Sequence, residues 1–214
     1  MVQGLLTEQE HGFHEGSSMR KINGLYYAVF ADSHRGKPTA LGYATSESPL
    51  GPFEYRGIII DNDGCDPETW NNHGSIEQVN GQWYVFYHRS TGNSRYLRRM
   101  CAEPITVEKD GRIPEVAPTS TGMGEPYRAW EPMYGYQACR VSPGAYIEGD
   151  RLTIKKGTAV AVYRYVASGV PENASIACES TGNPSLEYSL DGRGELTIRI
   201  TTDRDISIGS FMLG

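Results

Sequence analysis

The sequence lacks the features of several protein classes. No apolar stretch approaches the roughly 20 residues that a membrane-spanning helix needs. No run of Lys or Arg occurs and the net charge is −6, so nucleic acid and anionic membrane surfaces are unfavourable partners. The first 16 residues have neither the basic nor the apolar region of a signal peptide, so none is predicted there and the compartment stays open.

Cysteine is sparse, and its spacing carries information. The four cysteines contain no C-x-x-C pair, which argues against a zinc site and favours free buried thiols. What the chain has in abundance is tyrosine, with 14 residues, and glycine, with 25. Tyrosine favours half-buried strands and glycine favours the turns between them, so we expect an all-β protein.

A repeat occupies the first half of the chain. EGSSMRKINGLYYAVF (residues 15–30) aligns with HGSIEQVNGQWYVFY (residues 73–87), with one residue fewer in the second copy. Each copy reads as a short strand, an Asn-Gly hairpin turn and an aromatic strand. We expect third strands at 39–45 and 96–105, and fourth strands at 53–60 and 113–116.

Four antiparallel strands per repeat describe a β-propeller blade, and the alternative is a β-sandwich with chance similarity. In a propeller the first strand of each blade lines the central channel, so equivalent positions in successive blades face one pocket. Glu15 and His73 are equivalent positions, each directly before Gly-Ser. The repeat therefore predicts a carboxyl group and an imidazole in one site.

Glu15 follows Phe13 and His14. Apolar neighbours raise the pKa of a carboxyl group, which would let Glu15 donate a proton near neutral pH. The alternative is a solvated loop glutamate.

The segment GFHEGSSMRKINGLYY (residues 12–27) resembles the general-acid segment of glycoside hydrolase family 43. NNHGSI (71–76) and GQWYVFYHR (81–89) resemble the family's next blade, and LGYATS (41–46) and SPLGPF (48–53) fit between them. The resemblance covers roughly residues 10–118. It implies about two blades of a five-bladed propeller, with Glu15 as the general acid of an inverting enzyme.

The resemblance also implies further site residues. His73 matches a histidine that holds Ca²⁺ or its water at the channel centre in many members; a structural or substrate-contacting imidazole is the alternative. Arg98 is the preferred substrate-binding arginine, with Arg99 and Arg89 as alternatives, because strand alternation turns only one of two neighbours inward. Trp83 is expected in the blade core, as is Tyr84.

One departure from the family pattern concerns the general base. The family's two catalytic aspartates lie upstream of the acid, whereas the 14 residues before Glu15 contain no aspartate. We therefore expect a C-terminal fragment, a split gene product or a truncated reading frame that is inactive alone, and a second chain is one candidate source of the missing blades.

The second half reads as a β-sandwich. Residues 119–130 are expected to be a linker, and strands are expected at 158–166, 174–179, 186–190 and 195–201. The region 131–214 resembles a family 6 carbohydrate-binding module, and a structural sandwich is the alternative. Two functions follow: hydrolysis of arabinose- or xylose-containing polysaccharide, or non-catalytic binding of such a glycan.

Overall fold

A computed structural model describes residues 5–166, 170–171 and 173–214, and the described chain is all-β. The α-helix within these residues is α1 (Glu8–His11), and no helix among them has the length and apolar character needed to cross a bilayer. The chain divides into two compact units. The first contains the described residues up to Asp63 together with Trp70–Arg89 and Arg99–Pro118; the second contains Gly64–Thr69, Ser90–Arg98 and the residues from Thr119 onward.

The first unit contains one complete four-stranded blade. Its strands pair antiparallel in the order β1-β2-β3-β4. They are β1 (Phe13–Ile22), β2 (Leu25–Asp32), β3 (Ala40–Ser46) and β4 (Glu54–Asp61). Asn23 and Gly24 both have positive φ, of 48° and 92°, as a tight hairpin turn between β1 and β2 requires. The four strands expected for the first repeat are confirmed.

The second sheet has three strands in the order β5-β6-β7. They are β5 (Ser75–Val79), β6 (Gln82–Thr91) and β7 (Ser94–Ile105). Asn80 repeats the positive φ of the first hairpin, at 50°. Trp83 is partly buried and packs against the core that the two sheets share, as expected. Tyr84 is also partly buried, and its ring centroid lies 6.4 Å from that of Phe86.

The fourth strand expected at 113–116 was wrong. This segment lies along the first sheet as an irregular stretch. Tyr43 accepts a hydrogen bond from Ile113 N at 2.7 Å, and Val116 N donates to Ile59 O at 2.8 Å. Pro114 has no N–H to donate to a ladder, and the burial of Ile113 in the shared core holds the segment against the first sheet.

The second unit contains a two-sheet sandwich. One sheet has the order β10-β11-β16-β13 with β8 on β16, and the other has the order β14-β15-β12-β9. A short 3-10 turn, Gly135–Gln137, follows β8. The strands are β8 (Met133–Tyr134), β9 (Arg140–Val141), β10 (Ala145–Glu148), β11 (Arg151–Ile154), β12 (Gly157–Arg164), β13 (Ile176–Ser180), β14 (Ser185–Leu190), β15 (Glu195–Thr202) and β16 (Ile206–Leu213).

Side chains from both sheets of the sandwich fill one core. Leu152 and Ile208 from the first sheet and Ile198 from the second are fully buried in it. The four strands expected in this half are present as β12 to β15, and the sequence analysis missed β8 to β11 and β16. Ser120 Oγ accepts a hydrogen bond from Arg164 N, so part of the stretch expected to be a linker contacts the sandwich. The division at 118 and 131 stays a prediction.

Candidate active site

The strand pairing around Glu15 is irregular. Glu15 pairs with Ala31 of β2, and the register shifts on both sides of it, between Phe13 and Glu15 and between Glu15 and Ser18. Gly16 has φ +65°, a conformation that a residue with a Cβ rarely adopts. A bulge of this kind re-aims side chains at the end of a strand.

Two side chains from the second copy of the repeat converge on Glu15. Asn71 Nδ2 lies 2.8 Å from Glu15 Oε1, and His73 Nε2 lies 3.0 Å from the same oxygen. A carboxylate only accepts, so the imidazole donates from Nε2. Asn71 Nδ2 and His73 Nε2 stand 3.3 Å apart because both point at one acceptor. The prediction that the repeat brings residues 15 and 73 together is confirmed by this geometry.

Gly16 makes room for the imidazole. A Cβ on Gly16 would lie 2.5 Å from His73 Cδ2, well inside van der Waals contact. His73 also contacts His88, with ring centroids 5.7 Å apart and the planes at 86°. The ring of His73 therefore contacts both the backbone at Gly16 and a second imidazole.

The electrostatics of Glu15 differ from the expectation. The hydrogen bond from Asn71, followed by that from His73, lowers the pKa of Glu15 below its ordinary value of 4.5. Desolvation opposes this only weakly, since 47% of the side chain is exposed. The predicted upward shift from Phe13 was therefore wrong for this chain, because two donors favour the charged form more than burial disfavours it.

The arginines are placed in different parts of the fold. Arg98 is an exposed residue of β7 in the second unit, and its neighbour Arg99 is partly buried in the first. Arg89 is 5% exposed near the end of β6, in the first unit. The structure thus joins Glu15 and His73 in one unit, and the role of Arg98 stays a prediction.

Calcium does not fit the described residues by themselves. Ca²⁺ takes six to eight oxygen ligands. The described part of the chain contains no group of three or more His, Cys, Asp or Glu side chains arranged to hold a metal ion, and Nε2 of His73 is directed at Glu15.

Sequence reasoning missed Asn71 as a site residue. It stands in the NNHGSI motif that carries the family resemblance, two positions before His73. Residues two apart on extended backbone lie on the same side of the chain, so the expected position of His73 was the signal that could have identified Asn71.

An all-β chain in which one blade presents a carboxylate and the next an imidazole has the architecture expected for a propeller glycosidase. The chain belongs to the glycosyl hydrolases family 43, whose sequence model matches residues 1–113.

Its relatives are considerably longer. A xylosidase/arabinosidase of Thermoclostridium stercorarium is 36% identical over 151 residues, which are 63% of this chain and 30% of the relative. An arabinoxylan arabinofuranohydrolase of Paenibacillus polymyxa is 28% identical over 209 residues, 83% of this chain and 32% of the relative. The chain thus spans about a third of the length of the curated relatives it matches.

Among solved structures, the chain is similar to a family 43 β-xylosidase/α-arabinofuranosidase from a compost microbial metagenome. That enzyme was crystallised with xylotriose in a calcium-free form. The sequence identity is 38%, the match covers 49% of this chain and 30% of that one, and the TM-score is 0.42.

Proposed function

We propose that this chain carries the acid-bearing part of an inverting glycosidase for arabinose- or xylose-containing polysaccharides, with Glu15 as the general acid. The observation that carries the proposal is the convergence of Asn71 and His73 on Glu15 within the segments that define the family match. Relatives named xylosidase/arabinosidase and arabinoxylan arabinofuranohydrolase support the substrate class.

Inversion needs two carboxyl groups with separate tasks. One protonates the glycosidic oxygen as the bond to the anomeric carbon breaks, and the other takes a proton from the attacking water. The two groups stand about 6.5–9.5 Å apart to leave room for that water. The 14 residues before Glu15 contain no aspartate. We therefore infer that residues outside this chain supply the base.

The lowered pKa of Glu15 agrees with that inference. A general acid must hold its proton near neutral pH, and a second carboxylate close by raises the pKa of its neighbour. Without such a neighbour Glu15 is ionised and accepts hydrogen bonds from Asn71 and His73. In the complete site we assign His73 and Asn71 to holding the Glu15 carboxyl in place, and Arg98 to substrate binding.

The first test is hydrolysis of arabinoxylan oligosaccharides by the purified 214-residue chain. We expect no turnover. The second is a chimera of the Thermoclostridium stercorarium relative in which residues 1–113 of this chain replace the matching segment. Turnover by the chimera should fall about 10³-fold on Glu15→Gln, within the range that general acids contribute.

The leaving group separates an acid from a structural residue. A sugar alkoxide needs a proton to leave, whereas p-nitrophenolate is weakly basic and leaves without one. The Glu15→Gln chimera should therefore lose far less activity on p-nitrophenyl α-L-arabinofuranoside or β-D-xyloside than on oligosaccharides. Equal losses on both substrates would contradict the acid assignment.

A second candidate is glycan binding without hydrolysis. It is favoured by two exposed rings of the second unit, Trp130 at 65% and Tyr134 at 46%. Aromatic side chains of this type offer an apolar face beside a polar handle. Binding of xylotriose that Trp130→Ala abolishes, in a chain whose chimera does not hydrolyse it, would favour this candidate.

A further inference from the structure

The segment that brings the two donors to Glu15 has no ladder of its own. β4 ends at Asp61 and β5 begins at Ser75, so Asn71 and His73 stand on irregular backbone. Their positions must be fixed by hydrogen bonds other than those of a sheet, because buried backbone groups need partners.

Asn62, the first residue after β4, supplies those hydrogen bonds. Its side chain is completely buried. Asn62 Nδ2 donates to Asn71 O at 3.0 Å and to His88 O at 2.7 Å. A side-chain amide has two N–H groups, and both are used here. The reverse orientation of the amide would place an oxygen against two carbonyl oxygens, so the contacts themselves fix its orientation.

Two further bonds hold the frame around this amide. Asn62 N donates to Thr39 O at 3.1 Å, and Asn72 N donates to Pro38 O at 2.8 Å. Both anchor points lie in the connection between β2 and β3. The irregular segment is therefore tied to the first sheet at Asn72 and to the end of β6 through Asn62.

We propose that Asn62 is a positioning residue that holds Asn71 and His73 on the Glu15 carboxylate. Its side chain donates a hydrogen bond directly to the carbonyl of Asn71. It also donates one to the carbonyl of His88, whose ring packs against His73. This proposal rests on the function proposed above in one respect only, that the Glu15 carboxyl group acts as the general acid.

Loss of the amide has a defined consequence. The carbonyl of Asn71 would lose this donor in a buried place and that of His88 in a partly buried one, so the segment moves to find other partners. The donors then leave Glu15, and its pKa rises toward the ordinary value.

The test is a ¹³C NMR titration of the Glu15 carboxyl group in the 214-residue chain. Asn62→Asp keeps the size and removes the paired donors, and Asn62→Ala removes the whole amide. Both should shift the Glu15 midpoint upward. The matched control is Tyr43→Phe, which removes another buried hydrogen bond of the first unit, that from Ile113 N to Tyr43 Oη at 2.7 Å. It should lower stability and leave the Glu15 midpoint in place.

Two results would overturn the proposal. One is a folded Asn62 variant with an unchanged Glu15 midpoint, and the other is an equal shift in Tyr43→Phe. If the Asn62 variants do not fold, hydrogen exchange in the unmodified chain decides. The Asn62 Nδ2 protons should then exchange far more slowly than those of the exposed Asn23, and in the same opening event as the His73 Nε2 proton. Independent exchange of these two groups would contradict the assignment.

Failure of this proposal is distinguishable from failure of the proposed function. The titration needs neither turnover nor substrate. An inactive chimera with an upward shift in Asn62→Asp would leave Asn62 as a positioning residue for a carboxylate that is not a general acid.

Discussion

Substitution of Gly16 by alanine tests whether a glycine is needed at the bulge to leave space for the His73 ring. Two costs are expected. Alanine at φ +65° carries a backbone penalty of about 1–2 kcal/mol. The new Cβ would also lie 2.5 Å from His73 Cδ2, where ordinary carbon contacts begin at about 3.5 Å, so the ring must retreat by about 1 Å.

That retreat breaks the contact with Glu15. His73 Nε2 starts at 3.0 Å from Glu15 Oε1, and a further ~1 Å takes it beyond hydrogen-bond distance. We expect an additional loss of about 1 kcal/mol, small because Glu15 and His73 are both partly exposed. The pKa of Glu15 should rise as well, because one of its two donors is gone.

The control is Gly24→Ala. Gly24 has φ +92° and nothing within 4 Å of the position of its Cβ, so this variant carries the backbone penalty alone. Urea unfolding measures the two losses of stability, and a ¹³C titration follows Glu15. If Gly16→Ala matches Gly24→Ala in stability and leaves the Glu15 midpoint unchanged, the packing argument is refuted.

Three further predictions concern stability. Leu152→Ala should lower the free energy of unfolding by about 2–5 kcal/mol, measured with urea, because Leu152 is fully buried between the sandwich sheets. The control Leu50→Ala, at an exposed position, should change it by no more than about 0.5 kcal/mol. Gly42→Ala should cost at least about 2 kcal/mol, since its Cβ would overlap Oδ2 of the fully buried Asp32; a smaller loss would mean that Asp32 can move. Because folding lowers the pKa of Glu15, its ionised carboxylate stabilises the folded state above pH 4.5. That stabilisation is lost as the pH falls through the lower pKa of the folded state. The urea midpoint should therefore depend less on pH, from roughly pH 3 to 6, in Glu15→Gln than in the unmodified chain.

Most strands of the first unit follow from local signals. Asn-Gly turns require positive φ at both residues, and Asn23 and Gly24 show it in the first copy. The failure at 113–116 has a tertiary cause. Tyr27 donates to Gly111 O and Tyr43 accepts from Ile113 N, and both partners lie at least 70 residues away in sequence. The alternation of apolar and polar residues within 113–116 does not indicate these long-range hydrogen bonds.

The candidate site divides in the same way. The repeat predicts that Glu15 and His73 meet, because equivalent strands of successive blades line one channel. It does not predict Asn71 or Asn62, whose contacts depend on the path of an irregular segment. Nor does the sequence near Glu15 predict its charge state, since the donors that lower its pKa come from residues 56 and 58 positions further along.

Asn71→Asp tests whether a neighbouring carboxylate converts Glu15 into a proton donor. Asn71 Nδ2 stands 2.8 Å from Glu15 Oε1. A carboxylate oxygen in the place of Nδ2 would therefore be in contact with the negatively charged Glu15 carboxylate. Two carboxyl groups at that separation share one proton, and one of the pair's apparent pKa values rises well above the ordinary range.

Asn71→Ala is the matched control for that substitution, because it removes the donor and adds no charge. The midpoint of Glu15 should therefore rise in the order unmodified chain, alanine variant, aspartate variant, as followed by ¹³C titration. An aspartate variant that titrates below the alanine variant would show that the segment moves away rather than sharing a proton. A nearby carboxylate would then not account for the raised pKa that the proposed acid role of Glu15 requires.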